Sequence, residues 1–229
     1  MIQAIRDNAY WLMLGLGTVA MVIYVWLQRK KHGLSGCQSI VFTLLCAAGG
    51  FMAGKLLTAL LNWEQVSQNG FFSGGQSIFG PIFLDILIVP LIGRIFKISR
   101  RNAHDLCGPC LALLIGCQRI GCYFAGCCAG WLVTLSGFTF RLPAQMIESL
   151  GDFLILGVLL DKEKSGQYEG RLYPLFLMYY GALRFFVEFL RVTEKSILFL
   201  SHFQWLSLLA ILIGYLWNEY EKGRYHEKN

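Results

Sequence analysis

Charge is what this chain has least of. Only 15% of its 229 residues are Asp, Glu, Lys or Arg, against roughly 25% in soluble globular chains, and the mean hydropathy is +0.52. That scarcity excludes an ordinary soluble domain. No low-complexity tract, internal repeat or separate polar domain interrupts the apolar runs, so any chemistry belongs in a bilayer or at its surface. The net charge of +6 does not point to nucleic acid. The basic residues sit in short clusters between apolar runs, the distribution that the positive-inside rule produces. A cleavable signal peptide is not expected either: the first apolar run is long, follows Arg6 and Asp7 rather than a basic cluster, and ends on Arg29-Lys30-Lys31.

What is present is a set of runs long enough to cross hydrocarbon. They predict an all-α integral membrane protein with a single polytopic domain. Its seven spans lie near residues 10–27, 37–61, 78–95, 105–124, 143–160, 173–190 and 203–217. One set of loops holds Arg29, Lys30, Lys31, Arg94, Lys97, Arg100, Arg101, Lys162, Lys164, Arg171, Lys222, Arg224 and Lys228. The opposite set holds only Arg6, Arg141, Arg191 and Lys195. The first side is therefore expected to be cytoplasmic, with the N-terminus outside and the C-terminus inside. Gly50 and Gly54 form a small-xxx-small pair suited to close helix packing. Lys55 and Asp85, inside spans 2 and 3, read as structural groups that neutralise one another.

Against this background Cys117–Gly130, reading CQRIGCYFAGCCAG, stands out. An arginine within hydrocarbon costs several kcal/mol unless it is paired or faces a wet cavity, so an intramembrane Arg is a functional hypothesis by default. At about 1.5 Å per residue Arg119 lies roughly 21 Å above the cytoplasmic start of span 4. Span 6 carries Tyr179, Tyr180, Arg184 and Glu188, the last two an i, i+4 pair at a similar depth. A purely structural Arg184–Glu188 pair is one reading. Two arginines against one carboxylate leave a surplus cation, however, and a surplus cation at headgroup depth suits a phosphate.

The eight cysteines are mostly small hydrophobes in or beside spans. Cys117, Cys122, Cys127 and Cys128 have spacings of five, five and one. That is not the paired spacing of a zinc site, and a vicinal pair closes a tetrahedron poorly, so no metal is expected. Small-residue packing, a disulfide and a redox-reactive thiol remain open for them. His202, on the outer side, is a candidate base; His104 lies toward the cytoplasmic side, and His32 and His226 read as loop residues.

The stretch RIGCYFAGCCAG resembles the GRxGNFxNxExxG motif of the prolipoprotein diacylglyceryl transferase family. GGQSIFGPIF is similar to its GGxSFHGGLxG, and Asp105 with Pro109 to the pair that precedes the motif. RLPAQMIESL resembles RHPSQLYEA, YYGALRFFVEFLR resembles YGxxRFxxEFxR, and Gln204 with Ser207 falls in a segment like GQxLS. GGFMAGKLL resembles GxxxGxRL in the second span. The resemblance covers nearly the whole chain and implies seven spans with the N-terminus outside.

It further implies transfer of the diacylglyceryl group of phosphatidylglycerol to the thiol of a lipobox cysteine in a bacterial cytoplasmic membrane, releasing glycerol phosphate. The expected partners are phosphatidylglycerol, a prolipoprotein signal peptide or other thiol acceptor, and membrane lipid; no cofactor is implied. Arg119, Arg184, Glu188 and Tyr180 match the catalytic positions. Gly121, Gly126, Gly130, Cys122 and Cys127 match substrate-site positions of the motif, and Gln145, Glu148 and Gln204 come from the later segments. Four positions depart from the pattern: Phe79 replaces the family's His, Cys122 its Asn, Cys127 its Glu and Lys55 an Arg. They keep two alternatives in view, an enzyme of the same fold with another acceptor and a catalytically silent lipid-binding protein.

Overall fold

The computed structural model describes residues 2–61, 63–71, 76–135, 137–193 and 199–226. Lys195 of the outer loop and Gly74 and Gly75 of the GGQSIFGPIF stretch lie outside that set. Seven long helices appear near the seven predicted spans: α1 (Ile2–Gln28), α2 (Gly36–Leu61), α4 (Phe79–Ile95), α5 (Arg100–Ala125), α6 (Ala144–Ser165), α7 (Leu172–Val187) and α8 (His202–His226), with a short α3 (Trp63–Asn69) after α2. A 3-10 turn, Glu188–Leu190, closes α7. Three of the helical segments, Asn8–Gln28, Gly36–Leu61 and Arg100–Ala125, are long and apolar enough to cross a membrane.

The fold is not entirely helical. The stretch after Gly130, which lies between the expected spans 105–124 and 143–160, contains an antiparallel hairpin of β1 (Leu132–Leu135) and β2 (Phe138–Arg141), paired from Leu132–Arg141 to Leu135–Phe138. Its β-branched and aromatic residues favour strand, and the chain turns at Gly137 with φ of 84°. The other addition is α3, one short helix between the expected spans 37–61 and 78–95.

The burial pattern is that of a protein bathed in hydrocarbon. Leu12, Leu16, Val19, Ile23 and Leu27 are exposed along α1, and Leu150, Leu154 and Val158 along α6. In water such continuous apolar faces would aggregate; in a bilayer they are the solvent-matched surface. The polar residues are turned inward. On α6, Gln145, Glu148, Ser149 and Asp152 are all buried, at i, i+3, i+4 and i+7 spacing, so this helix is amphipathic with its polar stripe inside.

The chain forms two compact units, Met1–Ala20 with Gly108–Asn229, and Met21–Cys107. In the second, α2 meets the start of α4 through glycines. A Cβ on Gly50 would lie 3.3 Å from Pro81 Cβ, and one on Gly54 2.6 Å from Gln76, as the small-xxx-small reading expects. A Cβ on Gly80 would strike the Ala53 carbonyl oxygen and Gly54 Cα. The Thr58 hydroxyl accepts the Ser77 N–H at 2.8 Å. Phe79 is fully buried and stacks on Phe83, centroids 5.8 Å apart. Lys55 and Asp85 are both buried; the Cys107 thiol faces Asp85 Oδ2 at 3.9 Å.

In the first unit the same device operates between α7 and α8: a Cβ on Gly181 would lie 2.8 Å from the Ser207 carbonyl oxygen. Helix α5 is tied to α6 by the Ser149 hydroxyl donating to the Gly116 carbonyl at 2.8 Å. The Gln118 amide donates to the Tyr10 hydroxyl of α1 at 2.7 Å.

The glycine contact at position 80 is testable. Gly80→Ala must push the α2 backbone aside and is expected to cost about 1–3 kcal/mol. Gly15→Ala, where a Cβ meets nothing within 4 Å, should be neutral or stabilise by up to ~1 kcal/mol. Thermal unfolding of the two variants in detergent separates the cases; superimposable curves for Gly80→Ala and the parent would contradict this packing.

Candidate active site

The inward stripe of α6 meets the C-terminal ends of α5 and α7, and the meeting point is charged. Glu148, wholly buried, is its centre. Glu148 Oε1 lies 3.0 Å from Arg119 Nε and 3.7 Å from Arg184 Nε, and accepts the Tyr180 hydroxyl at 3.3 Å. Oε2 of the same residue lies 4.0 Å from Arg191 Nη2. Arg184 also grips Glu188 through Nη1–Oε2 at 2.6 Å, the i, i+4 pair predicted within span 6. The three arginines are all buried, Arg119 at 6%, Arg184 at 2% and Arg191 at 8% exposure.

The second carboxylate is held from another direction. Ser201 Oγ donates to Glu188 Oε1 at 3.0 Å. Ser201 Oγ also accepts the Gln204 N–H at 3.2 Å, while Gln204 Oε1 accepts the Ser201 N–H at 2.9 Å. This reciprocal pair is a capping box at the start of α8. Gln204, expected to contact substrate, thus has its amide oxygen engaged in capping, and its Nε2 is buried without a hydrogen bond among the described residues.

The predicted residues separate into three groups. Arg119, Arg184, Glu188, Tyr180 and Glu148 come together. Gly121, Gly126 and Gly130 serve the backbone: a Cβ on Gly121 would lie 3.2 Å from the Tyr10 backbone, one on Gly130 2.5 Å from the Leu190 carbonyl oxygen, and Gly126 turns the chain at φ of 72°. Gln145 and the cysteines adjoin the cluster. Gln145 Nε2 donates to the Cys127 carbonyl at 2.5 Å, and Arg191 Nη2 to the Cys128 carbonyl at 3.2 Å. His202, offered as a base, is exposed at the head of α8.

Sequence reasoning missed Arg191, placed in a loop, and Asp152. Arg191 is drawn in by a bridge between its backbone and that of Gly130. Asp152 sits one turn along α6 from Glu148, fully buried, with neither carboxyl oxygen hydrogen-bonded among the described residues. Its signal was available, since 145, 148, 149 and 152 share one helical face. The charge balance also differs: three guanidinium groups face Glu148 and Glu188, instead of two facing one.

The turn after α5 gathers thiols that the linear spacing keeps apart. The sulfurs of Cys122, Cys127 and Cys128 all lie within 4.8 Å of one another; Cys122 is buried and the other two are exposed. Cys128 adopts a left-handed φ of 60°, which costs a non-glycine residue ~1–2 kcal/mol. Hydrogen bonds from Cys122 and Cys127 hold the Cys128 thiol well below the ordinary thiol range, and Arg119 and Arg191 act in the same direction.

Three guanidinium groups offer about fifteen N–H donors to a handful of carboxyl oxygens. The Nε donors of Arg119, Arg184 and Arg191 are buried without well-directed hydrogen bonds among the described residues. A cluster so rich in donors fits a tetrahedral oxyanion with several acceptor oxygens, above all a phosphate.

The family model for prolipoprotein diacylglyceryl transferase matches residues 2–218. A protein of Clostridium tetani named phosphatidylglycerol–prolipoprotein diacylglyceryl transferase is 31% identical over 227 residues, spanning 92% of this chain and 91% of its own. The Clostridium perfringens protein with that name and the suffix 2 is 30% identical over 233 residues, at 94% and 91% coverage. A namesake from Dehalococcoides mccartyi is 25% identical over 222 residues, at 90% and 85%.

Glu148 is the common partner of all three arginines, so Glu148→Gln should be the most damaging single change in the cluster. Removing one member of a buried ionic set costs ~3–5 kcal/mol. Glu188→Gln, which leaves Arg184 its contact with Glu148, should cost less. Unfolding midpoints in detergent check the order, and the reverse order would remove Glu148 from the centre.

Proposed function

The chain belongs to the prolipoprotein diacylglyceryl transferase family, and from the arginine cluster we propose that it transfers the diacylglyceryl group of phosphatidylglycerol to the thiol of a prolipoprotein cysteine. The observation that carries this reading is the convergence of Arg119, Arg184 and Arg191 on Glu148 inside an apolar frame. A carboxylate that merely neutralised one arginine would not need three. Glu148 instead holds three cations close together, ready for an anion that adds further oxygens.

The chemistry follows from that arrangement. A thiolate attacks the glycerol carbon that carries the phosphate, a carbon–sulfur bond forms, and the carbon–oxygen bond breaks. The electron pair stays on the phosphate oxygen, and glycerol phosphate departs. Charge develops on that oxygen, where preorganised guanidinium groups in a water-poor site are most effective. Arg119 and Arg184 bind the phosphate. Glu188 fixes the Arg184 rotamer, Tyr180 fixes Glu148, and Ser201 fixes Glu188.

In this reading all seven long helices cross the membrane as one polytopic protein, N-terminus outside. The loop arginines and lysines support that orientation. The site then opens toward the outer leaflet of a bacterial cytoplasmic membrane, where a lipid headgroup and a signal-peptide cysteine can meet.

Phe79 and Cys127 stand where the family pattern has His and Glu, and they favour one second reading, a different acceptor on the same lipid site. One experiment separates the two. Purified protein is incubated with phosphatidylglycerol and a lipobox peptide, and products are resolved by mass. The proposal expects a diacylglyceryl thioether and glycerol phosphate in equal amounts. Arg119→Ala or Arg184→Ala should lower the rate by about 10²–10³-fold. Arg141→Ala, at the exposed end of the hairpin, should stay within about two-fold. Glycerol phosphate without modified peptide would move the assignment to another acceptor, and no lipid turnover at all would defeat it.

A further inference from the structure

Transfer to a thiol needs a thiolate, and Phe79 cannot supply the base that a histidine would. The turn after α5 offers another route. The three sulfurs of Cys122, Cys127 and Cys128 lie within 4.8 Å of one another. Sulfurs sharing one tetrahedral zinc at ~2.3 Å are about 3.8 Å apart, so side-chain rotations of about 1 Å close the set. No fourth Cys, His, Asp or Glu joins the group among the described residues. Cys127 and Cys128 are exposed and Cys122 is buried, so such a set is anchored on one side and open on the other.

The backbone is held in the shape that brings the sulfurs together. The Cys127 N–H donates to the Cys122 carbonyl at 3.2 Å. Gln145 and Arg191 pin the carbonyls of Cys127 and Cys128, and Cys128 sits in the left-handed region. A vicinal pair in ordinary extended backbone would point its thiols apart; the left-handed residue removes that objection. Plain packing would not need a strained turn fixed by two side chains of the arginine site.

We propose that Cys122, Cys127 and Cys128 bind one zinc ion whose fourth position takes the acceptor thiol. Three protein ligands with one open position is the arrangement of catalytic rather than structural zinc, and thiolates select this class of cation. The purpose of the metal rests on the transferase reading; its presence does not. On coordination the acceptor thiol loses its proton to water at the exposed side of the cluster. The bound sulfur then supplies the electron pair for the carbon–sulfur bond, and the pair of the broken carbon–oxygen bond leaves on the glycerol phosphate beside Arg119 and Arg184. Zinc keeps its charge throughout, and no oxidant or reductant enters. The sum is thiol plus phosphatidylglycerol giving thioether, glycerol phosphate and one proton.

The test starts with full-length protein purified in detergent with a phosphine reductant and no chelator. Elemental analysis should find about one zinc per chain, and Cys127→Ser should lose most of it. Because a variant can misfold, the parent protein loaded with Co²⁺ gives the second measure. It should show the thiolate charge-transfer and strong ligand-field bands of a tetrahedral site, and these should shift when a lipobox cysteine peptide is added but not with its serine counterpart. Zinc-stripped protein should still bind phosphatidylglycerol, while transfer slows by about 10²-fold or more until Zn²⁺ is returned. Protein without zinc and without cobalt–thiolate bands overturns the site, as does zinc held no more tightly by the parent than by Cys127→Ser. Cobalt bands indifferent to the peptide overturn the open position. Metal and peptide-dependent bands without any lipid transfer would uphold the site and place the failure in the transferase reading.

Discussion

The contact on which the rest of this structure depends is that of Glu148 with three guanidinium groups. Each arginine is buried, and a buried guanidinium without a partner is costly by several kcal/mol. One carboxylate is shared among the three, Glu188 adds a second partner for Arg184, and the Tyr180 hydroxyl holds Glu148. The helices contribute according to length and face. Arg119 comes from the end of α5, Glu148 from the inward stripe of α6, and Arg184 from the last turn of α7. Arg191 arrives from a connecting segment because its backbone pairs with Gly130.

The glycines let this assembly close. Helices in hydrocarbon gain nothing from excluding lipid, so close backbone approach has to hold them. Gly80 against Ala53 does so in one unit, and Gly181 against Ser207 in the other. The same logic explains the glycines of the RIGCYFAGCCAG stretch. Gly121 and Gly130 admit neighbouring backbone and Gly126 turns it, and in doing so they place Arg119 and the cysteines.

Much of this is legible in the sequence, and the exceptions have physical causes. The long apolar runs locate the seven long helices, three of which, among the described residues, have the length and apolarity that a bilayer requires. Arg119, Arg184 and Glu188 announce themselves because charge is so rare in such runs. Arg191 does not, since a loop arginine is ordinary and only a tertiary bridge draws it inward. Asp152 escapes notice although its helical spacing to Glu148 was readable. The thiol cluster is hidden for a different reason. Spacings of five and one say nothing about a turn in which one residue adopts a left-handed conformation, and that conformation cannot be read from a cysteine. The hairpin, too, follows from strand-forming residues on either side of Gly137, in a stretch too short for a span.

Ser201 shows how little freedom such a site leaves. Its single hydroxyl proton goes to Glu188, and one of its two lone pairs takes the Gln204 N–H. One atom therefore completes both the helix start and the charge cluster, and its only proton is committed. Fraying of the first turn of α8 releases Glu188 at the same moment, which turns a local helix–coil equilibrium into a setting of the electrostatics around Arg184. The vocabulary at this position is accordingly two side chains wide: only serine and threonine carry a hydroxyl on that carbon, able to give and receive at once.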